Sequence, residues 1–357
     1  MYVRWDITNC CNLKCIHCIV GDTICTKPDN ELSLRTIFKI IDVLKEKYHV
    51  NFIHFLGGEP FAKEGFLDIF KYCNYRNIVV GITTNGTLLN EEYIKKIAEG
   101  ISLGCSITLS LDGPNNETND IIRGNGSFDK CINSLSALSQ YKKNVRKLQI
   151  GIGATINRIN IDALDEYIYL ADKYNIDTIG FDFIISEGNA VKNADKLIIK
   201  DDFMILKAAD RIFKAYANSP QTFSLNLPFP PKLIEILNKK YGCDVKIKNG
   251  ACMALNDGIY IDSKGKCILC DFGHIVRELK NIGILNDSEI DILEEDNIYD
   301  SQQLLKLKQF LKSNIEKKRD LLKSKNCRFA GYCIGCPATM GKDVNCNICE
   351  KAVLEIC

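Results

Sequence analysis

Three cysteines near the start of the chain have the spacing to hold iron. They lie in Cys11-Asn12-Leu13-Lys14-Cys15-Ile16-His17-Cys18, a C-x3-C-x2-C pattern directly after a short apolar segment, Tyr2–Thr8. A four-iron cluster takes one protein ligand per iron. Three thiolates therefore leave one iron open, and an open iron can bind and reduce a substrate. The same residues allow two other readings, a zinc loop or a set of buried thiols. Structural zinc asks for four ligands, often as two separated C-x2-C pairs, which a three-cysteine loop fits poorly.

Periodic segments surround this loop and must position it. Strands are expected at Tyr2–Thr8, Asn51–Leu56, Ile78–Thr84, Ser102–Leu111, Leu148–Ile156 and Thr178–Ile185. Helical spacing of apolar residues falls between them, at Leu34–Tyr48 (with Ser33 as N-cap), Phe66–Tyr72, Glu91–Glu99, Ser127–Lys143 and Ile161–Tyr174. Continuous apolar strands alternating with amphipathic helices imply a parallel sheet covered by helices. Right-handed crossovers then favour an α/β fold of the partial (β/α)6, TIM-like barrel type. Strand C-termini face the ligand in such folds. The expected strand ends lead into the cysteine loop, Gly57-Gly58-Glu59-Pro60, Thr84-Asn85-Gly86, Ser110-Leu111-Asp112-Gly113-Pro114 and Thr155-Ile156-Asn157. Each alone reads as an ordinary turn; their succession points to a site.

A polar bridge follows, with helices at Asp201–Asn218 and Leu233–Tyr241. From Gly250 the composition changes. A hairpin is expected at Gly258–Asp262 and Lys266–Leu269, and a long helix with one apolar stripe at Gln302–Lys323. We divide the chain at residues 1–225 and 226–357.

With 46 basic and 45 acidic residues the net charge is +1, which argues against a nucleic-acid surface. The charged start lacks a signal peptide's apolar core, and no run approaches the length of a membrane span. A cytoplasmic location is expected. The 18 cysteines are the outlier. A secreted disulfide scaffold would be short and exported, so clustered cysteines here point to metal. The scattered Cys25, Cys73, Cys105 and Cys131 read as small buried apolar residues.

Together, Cys11-x3-Cys15-x2-Cys18, Gly57-Gly58-Glu59-Pro60, Asn85-Gly86 and Ser110-Leu111-Asp112-Gly113-Pro114 resemble the radical S-adenosylmethionine (radical SAM) superfamily over residues 1 to about 185. The resemblance implies a [4Fe-4S] cluster on Cys11, Cys15 and Cys18. S-adenosylmethionine would chelate the open iron and be cleaved to a 5′-deoxyadenosyl radical that takes a hydrogen atom from the substrate. Gly57, Gly58 and Glu59 are then expected to accept from the cofactor's amino group, since glycines allow close backbone approach. Asn85, Ser110 and Asp112 are candidates for the ribose, though Asp112 also suits ordering its own turn. His17 occupies the place of an aromatic residue beside the adenine. Cys10 lies outside the family spacing and reads as a spectator. Arg123 is a candidate for a carboxylate partner or a surface ion pair.

The chain from Cys252 is similar to the SPASM extension, a small cysteine-rich domain with auxiliary [4Fe-4S] clusters in a subset of these enzymes. Cys252-x12-Gly265-x4-Cys270 and Cys327-x5-Cys333 match its spacing; Ser324 and the two-residue gap between Cys333 and Cys336 depart from it. Cys336, Cys346, Cys349 and Cys357 are further candidate ligands, as are Cys243 and Cys267, for one or two clusters. Zinc remains an alternative for part of this region. Asp271, directly after Cys270, resembles an aspartate of sulfatase-maturing enzymes that takes a proton from the substrate; a capping role is the other reading.

The function expected is oxidative modification of a peptide or protein side chain. The alternatives are a small-molecule substrate and a non-catalytic iron–sulfur or zinc protein. A flavodoxin- or ferredoxin-like reductant is the expected partner. The cluster loop starts at residue 11, so peptide recognition is expected from a separate protein or from the barrel itself.

Overall fold

The computed structural model describes residues 2–21, 24–25, 31–247, 252, 255, 258–268, 273–286, 290–294, 298–324 and 348. The periodicity of the first half resolves into β1 (Tyr2–Thr8), α1 (Leu34–Glu46), β2 (Phe52–Gly57), α2 (Phe66–Tyr75), β3 (Val79–Thr84), α3 (Glu91–Gly100) and β4 (Cys105–Ser110). Then come α4 (Asn116–Arg123), α5 (Ser127–Lys142), β5 (Leu148–Ile156), α6 (Glu166–Tyr174) and β6 (Thr178–Phe183). These six strands pair in parallel and in sequence order. Helix α1 shows why the segments fold as they do. Ser33 Oγ accepts from the Thr36 amide at 3.1 Å, and Ile37, Ile40, Ile41 and Leu44 recur at helical spacing on its buried face. Burying each such side chain contributes about 1.5–3 kcal/mol.

The strands are not apolar on both faces. In β1, Val3, Trp5 and Ile7 are buried beneath helices, while Tyr2, Arg4 and Asp6 face the other way. In β4, Cys105, Ile107 and Leu109 are buried and Ser106, Thr108 and Ser110 are not. This period-two pattern differs from the continuous apolar strands expected. Its reason is architectural: the outer face packs on helices, and inner-face side chains such as Arg4, Asp6 and Ser110 line a cavity.

Helix α4 and the short helices after β6 had no strong local signal, whereas the helices expected at Asp201–Asn218, Leu233–Tyr241 and Gln302–Lys323 are present. Helix α4 is eight residues of mostly polar sequence, started by Asn115 Oδ1 on the Thr118 amide. Past β6 come the short helices α7 (Asn189–Lys192) and α8 (Ala194–Leu197), then α9 (Asp202–Ala217), β7 (Ser224–Asn226) and α10 (Pro231–Tyr241). The expected hairpin is present as β8 (Ile259–Ile261) and β9 (Lys266–Ile268), antiparallel to each other. Strand β8 also pairs in parallel with β1, with Arg4 opposite Tyr260. With β10 (Ile290–Asp291) the sheet has ten strands among the described residues, ordered β10-β9-β8-β1-β2-β3-β4-β5-β6-β7. Helices α11 (Gly273–Asn281) and α12 (Gln302–Ser324) enclose a smaller core of Ile275, Leu279, Leu285, Leu307 and Leu311. Among the described residues no helix is long and apolar enough to cross a membrane.

Candidate functional site: a three-cysteine loop beside a cavity

Strand β1 delivers the cysteine loop and β2 delivers the turn that supports it. The Gly58 amide donates to Thr8 O and the Glu59 amide to Cys10 O, both at 2.8 Å. A Cβ at Gly58 would lie 2.2 Å from Cys10 O, so only glycine permits this approach. From the other side, the Asn189 amide donates to Cys18 O at 2.8 Å. Asn189 Nδ2 reaches Cys15 O and Asn193 Nδ2 reaches Ile16 O, each at 3.1 Å. Gly188 has φ +56°, and a Cβ there would meet Ile19 O at 2.3 Å. The brace Gly188, Asn189 and Asn193 was missed from sequence. Two asparagines four residues apart in a polar stretch were its only signal.

A cavity of about 600 Å³ opens beside the loop, lined by Cys11, Cys15, Cys18, His17, Gly57, Gly58, Asn85, Ser110, Arg123 and Thr155. Among the described residues no other cysteine lines it. Its further wall is formed by Arg4, Asp6, Asp182 and Tyr260, with the Tyr260 hydroxyl donating to Asp6 Oδ2 at 2.7 Å. Cys11 Sγ accepts from the Leu13 amide at 3.4 Å and from Asn85 Nδ2 at 3.8 Å. Burial pushes the Cys15 thiol up to about 11, against the pull of the Arg123 charge. Iron binding would displace that proton, as thiolate is the ligand form. Three free thiols at one opening of a cavity suit a four-iron cluster with one open iron.

The candidate cofactor residues divide into two groups. Gly57, Gly58, Asn85, Ser110 and His17 reach the cavity. Glu59 and Asp112 do not line it; both are fully buried behind it. Glu59 Oε1 accepts from Thr84 Oγ1 at 2.6 Å and from the Phe61 amide at 3.2 Å, and Oε2 accepts from the Asn85 amide at 2.7 Å. Burial raises its pKa against these hydrogen bonds. Asp112 Oδ2 lies 2.6 Å from Arg123 Nε and 3.0 Å from His17 Nε2, while Oδ1 accepts from the Thr155 amide at 2.6 Å. Burial alone would raise its pKa; the Arg123 charge, then His17, hold it well below the usual carboxylate range. The geometry gives these two carboxylates the work of fixing Asn85, His17 and Arg123 at the cavity wall. Arg123 is largely enclosed, its side chain 11% exposed at the cavity wall, rather than in a surface pair.

Cys73, Cys105 and Cys131 are buried in the core, as their isolation implied. Cys25 and Cys10 require correction. They are neither a core thiol nor a spectator but a disulfide. The two segments run side by side in a β-bridge, which brings together side chains that no local pattern connects. Cys267 packs in the main core, and burial pushes its thiol up to about 12. Cys252 is half-buried against the smaller core, and Cys243 is half-buried near α10. Cys270, Asp271, Cys327, Cys333, Cys336, Cys346, Cys349 and Cys357 lie outside the described residues.

Comparison with known proteins gives matches in sequence and in fold. Residues 5–168 match the model of the radical SAM superfamily. The chain is 34% identical over 172 residues to the mycofactocin maturase MftC of Mycolicibacterium smegmatis, covering 48% of this chain and 42% of that protein. It thus spans under half the length of the maturases it matches. It is 26% identical over 278 residues to an AdoMet-dependent heme synthase of Methanosarcina barkeri, covering 76% of each chain. Among solved structures, anSMEcpe with bound AdoMet and Kp18Cys peptide superposes with TM-score 0.69 at 16% identity, over 99% of this chain and 97% of that one. Streptococcus suis SuiB bound to S-adenosylmethionine superposes with TM-score 0.66 at 17% identity, over 94% and 72%. At these identities the structural matches speak to the fold, an α/β architecture with a parallel central sheet. The cysteine loop and the strand-end residues around it lie within residues 5–168, the span that matches the model of the radical SAM superfamily.

Proposed function

We propose that this chain reductively cleaves S-adenosylmethionine and uses the resulting radical chemistry to modify a peptide or protein side chain oxidatively. The observation that carries this reading is the single cavity that joins three free cysteines to the strand-end residues and to a polar wall beyond them. When bound, the cluster supplies the electron for cofactor cleavage. Cys11, Cys15 and Cys18 hold it. Gly57 and Gly58 present backbone at close range, Asn85 and Ser110 offer polar groups, and His17 presents a ring fixed by Asp112. The wall of Arg4, Asp6, Asp182 and Tyr260 then faces the substrate. Similarity to a mycofactocin maturase, and to the fold of SuiB, which is also known bound to its precursor peptide, supports a peptide substrate.

Auxiliary clusters in a SPASM-like domain over residues 226–357, with Asp271 as the base, complete the proposal. So do a flavodoxin- or ferredoxin-like reductant and a cytoplasmic setting. A second reading, a small-molecule substrate, is favoured by the heme synthase match, because it covers three quarters of both chains.

Anaerobically reconstituted protein with reductant should convert S-adenosylmethionine to 5′-deoxyadenosine and methionine, and Cys15→Ala should abolish this. No turnover by intact, cluster-loaded protein would overturn both readings. Labelled product on a peptide encoded beside this gene would select the first.

A further inference from the structure

We propose that Cys10 and Cys25 form a thiol–disulfide exchange site that clasps the base of the cysteine loop. The bond spans a sequence separation of 15, and the ring it closes contains Cys11, Cys15 and Cys18. It does not act alone at that base. The Cys11 amide donates to Cys25 O at 3.0 Å, and the Cys25 amide donates to Asn9 O at 3.1 Å. The Cys10 amide donates to Thr8 Oγ1 at 2.9 Å, and Cys10 O receives the Glu59 amide. The strand end, the β2 turn and the far side of the loop therefore meet at one covalent link. Closing a loop in this way lowers the entropy of its open states.

The two residues differ in exposure. Cys10 is 4% exposed, whereas Cys25 is half-buried. An external thiolate therefore attacks Cys25 Sγ. The Cys10 sulfur leaves with the bonding electron pair and takes a proton. A second thiol of the same reductant then displaces Cys25, so that one disulfide and one dithiol become two thiols and one oxidised dithiol. The ligand class is a protein or small-molecule dithiol. Opening has two consequences. The loop loses its clasp, and two thiols appear at its base, of which Cys10, next to Cys11 in the chain, competes for iron. In a reducing compartment disulfides are as a rule transient or redox-sensing, which suits an exchangeable bond here.

The bond stands independently of the iron reading; its consequence for iron retention rests on that reading. The test starts with protein purified anaerobically without added thiol, alkylated, digested and analysed by mass spectrometry. A linked Cys10–Cys25 peptide that disappears after phosphine treatment is expected; alkylation of both residues in untreated protein overturns the proposal. Iron release to a chelator is then followed for reconstituted wild type, phosphine-reduced wild type, Cys25→Ser and the double variant Cys10→Ser/Cys25→Ser. Release several-fold faster than untreated wild type is expected for the reduced protein and for Cys25→Ser, and an intermediate rate for the double variant, which lacks the competing thiol. Equal rates in all four overturn the clasp. The reduced wild type carries the test should Cys25→Ser fail to fold. A linked peptide in protein that binds no iron would leave the bond standing and sink the cluster assignment.

Discussion

Glu59→Gln separates two roles that one carboxylate could play beside this cavity. If Glu59 received the cofactor's amino group, the amide would weaken S-adenosylmethionine binding and leave stability nearly unchanged. The geometry predicts the reverse. Both carboxylate oxygens are already committed, Oε1 to Thr84 and Phe61 and Oε2 to the Asn85 amide. A glutamine keeps one acceptor. With its oxygen toward Thr84, its NH2 group faces the Asn85 amide, donor against donor, across 2.7 Å. Losing a hydrogen bond to a charged acceptor costs about 1.5–3 kcal/mol, and an orphaned buried N–H costs about 1–3 kcal/mol more. The amide recovers part of this, because burial already opposes the charged carboxylate. The net expectation is a loss of about 2–4 kcal/mol. Urea unfolding of apo wild type and variant, monitored by far-ultraviolet circular dichroism, measures it as a lower midpoint at unchanged slope. Cofactor affinity of the cluster-loaded variant should fall only as far as Asn85 shifts. An unchanged midpoint together with a large loss of affinity would refute the reasoning and restore Glu59 to the cofactor.

Two further outcomes follow from the buried charges. Asp112→Leu strands the Arg123 guanidinium without its counter-charge and should cost about 3–5 kcal/mol. Adding Arg123→Met should restore part of that loss in urea unfolding, and strict additivity of the two changes would show the pair to be uncoupled. His54 donates to or accepts from Thr83 Oγ1 at 2.7 Å, and burial, with the Arg4 charge, lowers its pKa to about 4. Its unfolded value is about 6.5, so between these pH values the unfolded chain binds the extra proton and stability falls as pH drops from 6.5 to 4. At about 1.4 kcal/mol per unit, the stability advantage of wild type over His54→Gln should shrink by about 3 kcal/mol from pH 7 to pH 4. A constant difference would mean that the ring is charged in the fold.

What was legible in the sequence is what local pattern encodes. Ser33 and the Ile37-Ile40-Ile41-Leu44 stripe announce α1, and the Cys11–Cys18 spacing announces a loop that brings three thiols to one cavity. Pairings between distant segments were not legible. Strand β8 is three residues long and finds β1 across more than 250 residues, yet it brings Tyr260 into the cavity wall. The Cys10–Cys25 bond likewise depends on a β-bridge that neither segment signals. The inner faces of β1 and β4 were read too simply, because Arg4, Asp6, Ser106 and Ser110 interrupt runs whose other face is wholly apolar.

The separation of strand-end residues into those that reach the cavity and those behind it has a physical cause. A backbone turn or a short neutral side chain can face a ligand and water alike, and Gly57, Gly58, Asn85 and Ser110 all line the cavity. A fully buried carboxylate persists only where it is paired or its oxygens are hydrogen-bonded. Glu59 meets that requirement with three donors, and Asp112 with Arg123, His17 and the Thr155 amide. Their partners are parts of the wall: the Asn85 backbone, the His17 ring and the Arg123 guanidinium. Glu59 ties the β2 turn to the β3 end, and Asp112 ties the β4 end to the cysteine loop, α4 and β5. A motif residue so placed contributes to the site through the positions of its neighbours. Substitutions at Glu59 and Asp112 should accordingly register in stability and in cavity geometry before they register in the chemistry of bond cleavage.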